Sequence, residues 1–191
     1  MQFIKEHYTN TLEVKQSKFI AHLLPYKDYK TVLENLKEQH PKAKHFVTAY
    51  RYLNEFEQIV EHSSDDGEPK GTSGKPSLMV LQGKELINTA VIIVRYFGGT
   101  KLGTGGLVRA YSDAVNLVLK NAQFYEYKKE IIKTFEIEYG DVRFIDYECE
   151  AFCIEIIDKI FDAKVIYKVK SDEKNIMDFL EKVKRRIVLK D

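Results

Sequence analysis

A cluster of five glycines constrains the fold of this chain more than any other feature of its sequence. The cluster consists of Gly98, Gly99, Gly103, Gly105 and Gly106. Glycine weakens both helices and strands, so such a cluster indicates a segment that needs positive φ angles or close backbone approach. A β-branched run at 91–94 precedes the cluster, and apolar residues at helical spacing follow it. The sequence therefore predicts a buried strand, a glycine loop and a helix.

The helix predicted after this loop begins with unpaired N–H groups and the positive end of its dipole, an arrangement that favours anions. Lys101 lies in the loop, and Arg95 and Arg109 flank it. The two common nucleotide signatures are incomplete, because Thr104 stands at the lysine position of a P-loop and Val108 at the third glycine position of GxGxxG. Spacing alone leaves two interpretations open: a phosphate site, or a tight turn needed only for packing.

A second unusual segment is DDGEPKGTSGKP at 65–76, within a polar connection that runs from 54 to 76. Its glycines and prolines predict an irregular loop, and a loop of that length is usually functional or disordered. Carboxylates such as those of Asp65, Asp66 and Glu68 can seat a divalent cation, but turns also favour Asp for its own backbone hydrogen bonds. We interpret them as solvated turn residues and assign no metal, cofactor or catalytic residue. Thr72 and Ser73 are candidate caps for a following helix.

Composition limits the classes of protein to consider. The chain has 191 residues, of which 44% are hydrophobic and 31% charged, with a formal net charge of +1. It can therefore bury a core, and it is not polybasic in the manner of many nucleic-acid-binding modules. Cys149 and Cys153 lack nearby histidines, which argues against zinc and predicts two buried free thiols in a reducing compartment. Without a signal peptide or an apolar run of about 20 residues, a cytoplasmic location is expected.

The remaining pattern predicts an α+β protein with two domains, at 1–123 and 128–191, joined by a linker around 122–127. In the first domain, strands are predicted at 12–14, 18–24, 45–53 and 89–97, with helices at 29–36, around 78–81 and after the glycine loop. In the second, strands are predicted at 131–139, 153–160, 164–169 and 187–189, with helices at 144–152 and 176–183. The second order, βαββαβ, is that of a ferredoxin-like sandwich.

Two segments in this order, DDGEPKGTSGKP and RYFGGTKLGTGGLVRAY, strongly resemble the IMPACT family, specifically its bacterial YigZ-type members. The resemblance implies an N-terminal domain with the fold of the second domain of a small-subunit ribosomal protein and of domain IV of translocating elongation factors. It implies a C-terminal domain like domain V of those factors. Eukaryotic members regulate translation initiation by competing for the activator of the amino-acid-starvation kinase. They carry an extra N-terminal domain that is absent from this sequence, so kinase regulation is not expected of it.

The first functional hypothesis is a non-enzymatic, translation-linked regulator or binding module that contacts RNA, the ribosome or a ribosome-associated protein. Phosphate contacts are expected from basic side chains and loop amides, and Tyr96 and Phe97 are candidate stacking faces. For Phe97 a core position is the favoured interpretation, since the strand continues into it. The candidate binding residues are Lys70, Arg95, Tyr96, Gly98, Gly99, Lys101, Gly103, Thr104, Gly105, Gly106 and Arg109. The motif residues of the acidic loop are Asp65, Asp66, Gly67, Glu68, Pro69, Gly71, Thr72 and Gly74.

Two alternatives remain open. Small-molecule kinases of the galactokinase and mevalonate kinase group share the N-terminal fold implied by the resemblance, so the chain is alternatively a nucleotide-binding enzyme. Asp66 or Glu68 would then hold Mg²⁺ beside phosphate in the glycine loop. No nucleophile or base stands out, because His45 and His62 are isolated in the sequence. A protein-interaction adaptor is the third hypothesis. No membrane partner is expected.

Overall fold

The computed structural model describes residues 1–190 and divides into two compact units, Met1–Tyr127 and the part that begins at Lys128. The mixed α/β architecture predicted from the sequence is confirmed, with several sheets and five α-helices in the described residues. In the first unit the elements are β1 Gln2–Phe3, β2 Tyr8–Val14, β3 Ser17–Pro25, α1 Tyr29–Gln39, β4 His45–Leu53, β5 Ile59–Ser64, α2 Gly74–Gly83, β6 Thr89–Tyr96, α3 Gly103–Leu119 and β7 Tyr125–Glu126. In the second they are β8 Glu130–Ile137, α4 Val142–Ala151, β9 Glu155–Phe161, β10 Val165–Asp172, α5 Glu173–Val183 and β11 Ile187–Lys190.

The core of the first unit is a five-stranded antiparallel sheet in the order β2-β3-β6-β4-β5. The β-branched strand β6 lies at its centre, and the sheet is covered on both faces. Apolar residues of α2 and α3 pack on one face, and those of α1 pack on the other. A strand covered on both sides gains from apolar side chains at every position, which explains the unbroken run at 91–94.

Alternation along β6 decides which side chains reach which layer. Val91 and Ile93 point to the α2 and α3 side, whereas Ile92 and Val94 point to the α1 side. Arg95 therefore points inward beneath α3. Tyr96 takes the α1 side, where its hydroxyl lies 2.8 Å from Nδ1 of His40.

Strand β5 is the largest difference between the predicted and observed elements of the first unit. The whole connection 54–76 was expected to be irregular, but Ile59–Ser64 forms an edge strand paired with β4. That expectation is wrong for these six residues. Their polar composition suits an edge strand with an exposed side, and the pairing depends on the free edge of β4 rather than on a local pattern.

The segment 122–127 also differs from the prediction. It contains β7, which pairs antiparallel with β1 at the start of the chain. The first unit therefore extends to Tyr127 instead of ending at residue 123. Two-residue strands that depend on a distant partner leave almost no signal in a local sequence pattern.

The second unit has the element order βαββαβ that the sequence predicts, in an antiparallel sheet ordered β11-β8-β10-β9. Its core is formed by apolar residues of β8 and β10 packed against α4 and α5. Cys149 is buried there, and burial raises the pKa of its thiol to about 12. Cys153 is exposed, which corrects the expectation of two buried thiols, because the chain turns with a φ of 53° just beyond α4. Within residues 1–190, no helix is long and apolar enough to cross a membrane.

Candidate functional site

The acidic turn and the strand–loop–helix segment meet beneath the start of α3 through three buried polar side chains. Glu68 comes from the acidic turn, Arg95 from the end of β6, and Tyr111 from the third turn of α3. A terminal nitrogen of Arg95 donates to Oε1 of Glu68, and the hydroxyl of Tyr111 donates to the same oxygen at 2.8 Å. All three side chains are less than a tenth exposed. The network ties the acidic turn, the central strand and α3 into one body.

Burial and the neighbouring carboxylate determine the protonation state of Tyr111. Desolvation raises the pKa of Tyr111, and the neighbouring charge of Glu68 raises it further. The hydroxyl therefore stays protonated and remains a donor. Among the described residues, Nε of Arg95 is buried without a hydrogen-bond partner. The protein thus leaves one donor of this guanidinium unsatisfied, which is uncommon for a buried polar atom.

Arg95 also lies among aromatic rings. Its guanidinium carbon is 5.3 Å from the ring centroid of Phe19 and 5.9 Å from that of Phe97. Phe19 in turn meets the ring of Tyr111 edge to face, with centroids 5.1 Å apart. Aromatic rings within about 6 Å stabilise a guanidinium and fix its orientation.

Asp65 organises the acidic loop. Its carboxylate accepts hydrogen bonds from the backbone N–H groups of Gly71 at 2.7 Å, Gly74 at 2.8 Å and Ser73 at 3.1 Å, and from the Ser73 hydroxyl at 2.6 Å. Burial alone would raise the pKa of Asp65, but these hydrogen bonds outweigh it and hold the pKa below its ordinary value. Asp65 therefore caps α2. The predicted caps do not, since the Thr72 hydroxyl instead donates to the Pro69 carbonyl at 2.6 Å.

Asp66 makes a different connection. Its side chain accepts from the backbone N–H of Phe46 at 2.6 Å, and its carbonyl oxygen lies 2.8 Å from Nδ1 of His45. The three acidic residues of the loop thus have three separate sets of partners. In the part of the chain that the structure describes, no cluster of three or more His, Cys, Asp or Glu side chains is arranged to hold a metal ion.

Each glycine in the two motifs meets a different steric situation. A Cβ on Gly98 would lie 2.0 Å from the backbone carbonyl carbon of Gln16, so the strand pair β2–β3 passes too close for any side chain there. Gly99 and Gly103 have φ angles of 87° and 72°, which favour glycine. Gly105 has ordinary helical backbone and nothing within 4 Å of an added Cβ.

Helix α3 begins at Gly103 with no side chain capping it, and Gly103, Thr104 and Gly105 are all exposed. Its first N–H groups are therefore open to a ligand. A cleft of about 350 Å³ lies beside this helix start. It is lined by Glu68, Pro69, Arg95, Phe97, Lys101, Leu102, Gly103, Thr104 and Leu107. The cleft combines the uncapped start of α3, the exposed Lys101 and the buried guanidinium of Arg95. The carboxylate of Glu68 is paired with that guanidinium.

The cleft gathers some of the predicted binding residues and leaves others outside. Arg95, Lys101, Gly103 and Thr104 line it together with Glu68. Lys70 and Arg109 are exposed but do not line it, and Tyr96 belongs to the opposite face of the sheet. Gly98, Gly99, Gly105 and Gly106 shape the backbone around the cleft without lining it. Gly67 and Gly71, with φ angles of 85° and 75°, shape the acidic turn in the same way.

Two residues of this region differ from the favoured expectation. Phe97 is expected in the core, but half of its surface is exposed, since β6 ends one residue earlier. The helical spacing indicates only an apolar position for Tyr111, whereas its hydroxyl is part of the buried network. A tyrosine on the inward face of a helix is a signal of a buried polar partner, because a buried hydroxyl needs a hydrogen bond.

Comparison with known proteins places this fold and site in a family. The model of the Impact N-terminal domain matches residues 15–119, which include both motifs. The chain therefore belongs to the IMPACT family. It is 35% identical to an IMPACT family member from Haemophilus influenzae, over 93% of this chain and 89% of that protein. It is 32% identical to the IMPACT family member YigZ of Escherichia coli, over 90% of this chain and 85% of that protein.

A solved structure supports the fold of the whole chain. The crystal structure of a hypothetical protein superimposes with a TM-score of 0.67 at 29% sequence identity. The match covers 98% of this chain and 95% of the other. Both units described above therefore have counterparts in that protein.

Proposed function

We propose that this protein is a translation-linked binding module that holds a phosphate group of RNA in the cleft at the start of α3. The observation that carries the proposal is the uncapped, exposed terminus of α3 beside Lys101. Backbone N–H groups at a helix start and a nearby lysine form a favourable site for a phosphate oxygen. The unsatisfied Nε of buried Arg95 adds positive potential from below.

The acidic turn does not oppose this role, although it adjoins the cleft. Glu68, the carboxylate that lines it, already accepts hydrogen bonds from Arg95 and Tyr111. Paired in this way, Glu68 repels an incoming phosphate far less than a free carboxylate would. Lys101 then gives the cleft a net positive charge.

The translation link rests on the family resemblance and on the expected likeness of the two units to domains IV and V of elongation factors. Relatives named IMPACT extend to eukaryotes, with 29% identity to Protein IMPACT of Xenopus laevis over 58% of this chain and 37% of that protein. We infer that the bacterial-type chain works on translation in the cytoplasm through RNA or a ribosome-associated partner. An enzyme that needs Mg²⁺ at the acidic turn is less well supported, since its three carboxylates already have separate partners.

The test compares two charge reversals, one just before α3 and one just after it. Fluorescence anisotropy with a labelled 12-nucleotide RNA should give a Kd about tenfold weaker for Lys101→Glu than for the wild type, since one phosphate contact is lost and one repulsion gained. Lys120→Glu is the matched control, because Lys120 is exposed at the other end of this 17-residue helix, about 25 Å away. Co-sedimentation with ribosomes repeats the comparison with the ribosome as the binding partner.

Equal affinities of the two variants, for RNA and for ribosomes, would refute the proposed site. If Lys101 contacts a phosphate, the slope of log Kd against log salt concentration should be smaller by about one unit in Lys101→Glu than in the wild type. Binding to a ribosomal protein but to no RNA would favour the adaptor hypothesis instead.

A further inference from the structure

The exposed ring of Phe97 is the feature of this cleft that a phosphate site does not explain. Phe97 follows the last residue of β6 and is 50% exposed. Its backbone continues directly into the glycine loop, and its side chain lines the same cleft as Lys101 and Thr104. Because the half-exposed ring lies inside a cleft, a ligand with a flat apolar surface could cover it while its polar groups meet Lys101 and the start of α3.

The ring is held in place from below. The guanidinium carbon of Arg95, itself 6% exposed, lies 5.9 Å from the Phe97 centroid. Arg95 is in turn fixed by its ion pair with Glu68 and by the ring of Phe19. The aromatic surface is therefore supported on its inner side, and the solvent-facing part is available for a partner.

The size of the cleft limits that partner. A volume of about 350 Å³ lies at the lower end of the range for small-ligand clefts. One nucleotide has the combination of groups that the cleft offers to bind: a flat base for Phe97, and a phosphate for the N–H groups of Gly103 and Thr104 with Lys101. In a duplex the bases are stacked on one another and closed to side chains, whereas an unpaired base can be splayed out onto an aromatic ring.

We propose that the cleft binds one nucleotide of single-stranded RNA, with the base stacked on Phe97 and the adjoining phosphate at the start of α3. This inference rests on the proposed RNA-binding function and specifies the form of the RNA. Stacking accepts any base, since every base has an aromatic face, so the site selects unpaired RNA without selecting a sequence. The glycines beyond Thr104 keep the approach to the phosphate free of side chains.

The chain has no tryptophan, so an introduced tryptophan can be followed by its fluorescence without background from another indole. In Phe97→Trp the only indole of the protein stands at the proposed stacking position. Adding a single-stranded 12-nucleotide RNA should quench and shift its emission, and the same RNA annealed to its complement should do so at least tenfold less effectively. Phe56→Trp is the control, because Phe56 is 72% exposed at a distant turn and its emission should not change.

Affinity provides a second, independent measurement. Phe97→Ala should weaken binding of the single strand by about fivefold to 100-fold, the range found for losing one stacked base, while Phe56→Ala should not. Unchanged thermal stability of Phe97→Ala would confirm that folding is intact. If Lys101→Glu weakens RNA binding but neither Phe97 variant responds, the stacking site is refuted and the phosphate site stands. Equal binding of duplex RNA also refutes it, and a protein that binds no RNA refutes both proposals.

Discussion

The hydroxyl of Tyr111 lies 2.8 Å from Oε1 of Glu68 and joins helix α3 to a turn 43 residues earlier in the chain. Because Arg95 donates to the same oxygen, this carboxylate is the point where three elements of the first unit are connected. Its burial makes the connection costly to break, since each group would lose its partner without regaining water. The ion pair with Arg95 neutralises Glu68, the one acid that lines the cleft. Stability and the proposed phosphate site thus depend on the same atoms.

The first prediction concerns that hydrogen bond. Tyr111→Phe keeps the ring packed against Phe19 but removes the donor to a buried carboxylate. We expect the free energy of unfolding to fall by about 2 kcal/mol, the usual size for a hydrogen bond to a charged group. Urea unfolding followed by circular dichroism measures the change.

Tyr147→Phe is the matched control for this experiment. Tyr147 is 68% exposed on α4, so removing its hydroxyl should leave the unfolding free energy within about 0.5 kcal/mol of the wild type. Equal effects of the two substitutions would mean that the Glu68 contact adds nothing to stability.

The second prediction contrasts two glycines of the glycine cluster, Gly98 in the loop and Gly105 in α3. Gly98→Ala places a methyl group 2.0 Å from the backbone of Gln16, so β2–β3 or the loop must move. We expect a loss of about 3 kcal/mol in the free energy of unfolding. Gly105→Ala meets nothing within 4 Å and lies in helical backbone, so it should raise stability by up to about 1 kcal/mol.

Thermal and urea unfolding of both variants check this contrast. The two substitutions add the same methyl group, so a loss at Gly98 would report the close approach of Gln16 and a gain at Gly105 would report helix propensity. Destabilisation by Gly105→Ala would reveal a packing role for that position. If the variant is stabilised yet binds RNA less well, the bare position serves ligand approach.

The third prediction follows from the cap of α2. The folded pKa of Asp65 is held below its ordinary value, so the folded state binds a proton less readily than the unfolded state. This stabilisation is present above the unfolded pKa of about 4 and is lost as pH falls from there through the folded pKa. Asp65→Asn should therefore lose stability at neutral pH and show a flatter decline below about pH 4.

Urea unfolding between pH 7 and pH 2 gives the two profiles. Asp113→Asn is the control, because Asp113 is exposed on α3. Parallel profiles for the wild type and Asp65→Asn would show that the cap contributes nothing to acid sensitivity.

How far the sequence predicts this structure is clearest along 91–119. The β-branched run, the glycine cluster and the helical spacing are local signals, and strand, loop and helix all form as expected. Side-chain partners are different, because they depend on distant residues. Nothing in the local pattern at 65–76 indicates that Asp65 caps α2 or that Glu68 meets Arg95. The same reason explains why β5 escaped prediction, since its pairing is supplied by β4.

The candidate site was predictable in part for a related reason. A glycine loop before a helix indicates an open helix terminus whatever packs around it, so Gly103 and Thr104 could be named from the sequence. The environment of Arg95 could not be predicted from the sequence, because a basic residue at the end of a buried strand is equally consistent with exposure and with a buried ion pair. Alternation along β6 directs Arg95 inward, and the end of the strand at Tyr96 leaves Phe97 half exposed.

The last prediction concerns a second buried titratable group, away from the cleft. His22 on β3 is 7% exposed, and its Nδ1 lies 3.1 Å from both Nε2 of His7 and the hydroxyl oxygen of Thr9. Burial lowers the pKa of His22 to about 4, and the nearby His7 and His40 lower it as well. The unfolded chain therefore binds a proton between about pH 6.5 and pH 4 where the folded chain does not. Stability should fall as pH drops through this window, by at most about 3 kcal/mol.

His22→Gln tests this assignment, because glutamine retains hydrogen-bonding groups without titrating. Its unfolding free energy should be lower at neutral pH and should fall less steeply between pH 6.5 and 4 than that of the wild type and of the exposed control His62→Gln. A smaller slope should remain, because burial also lowers the pKa of His7. The comparison relies on slopes, so a general loss of stability in the variant does not obscure it. This window lies above the one governed by Asp65, and the two effects are therefore separable in a single pH series. A wild-type slope that survives in His22→Gln would assign the acid sensitivity to another group.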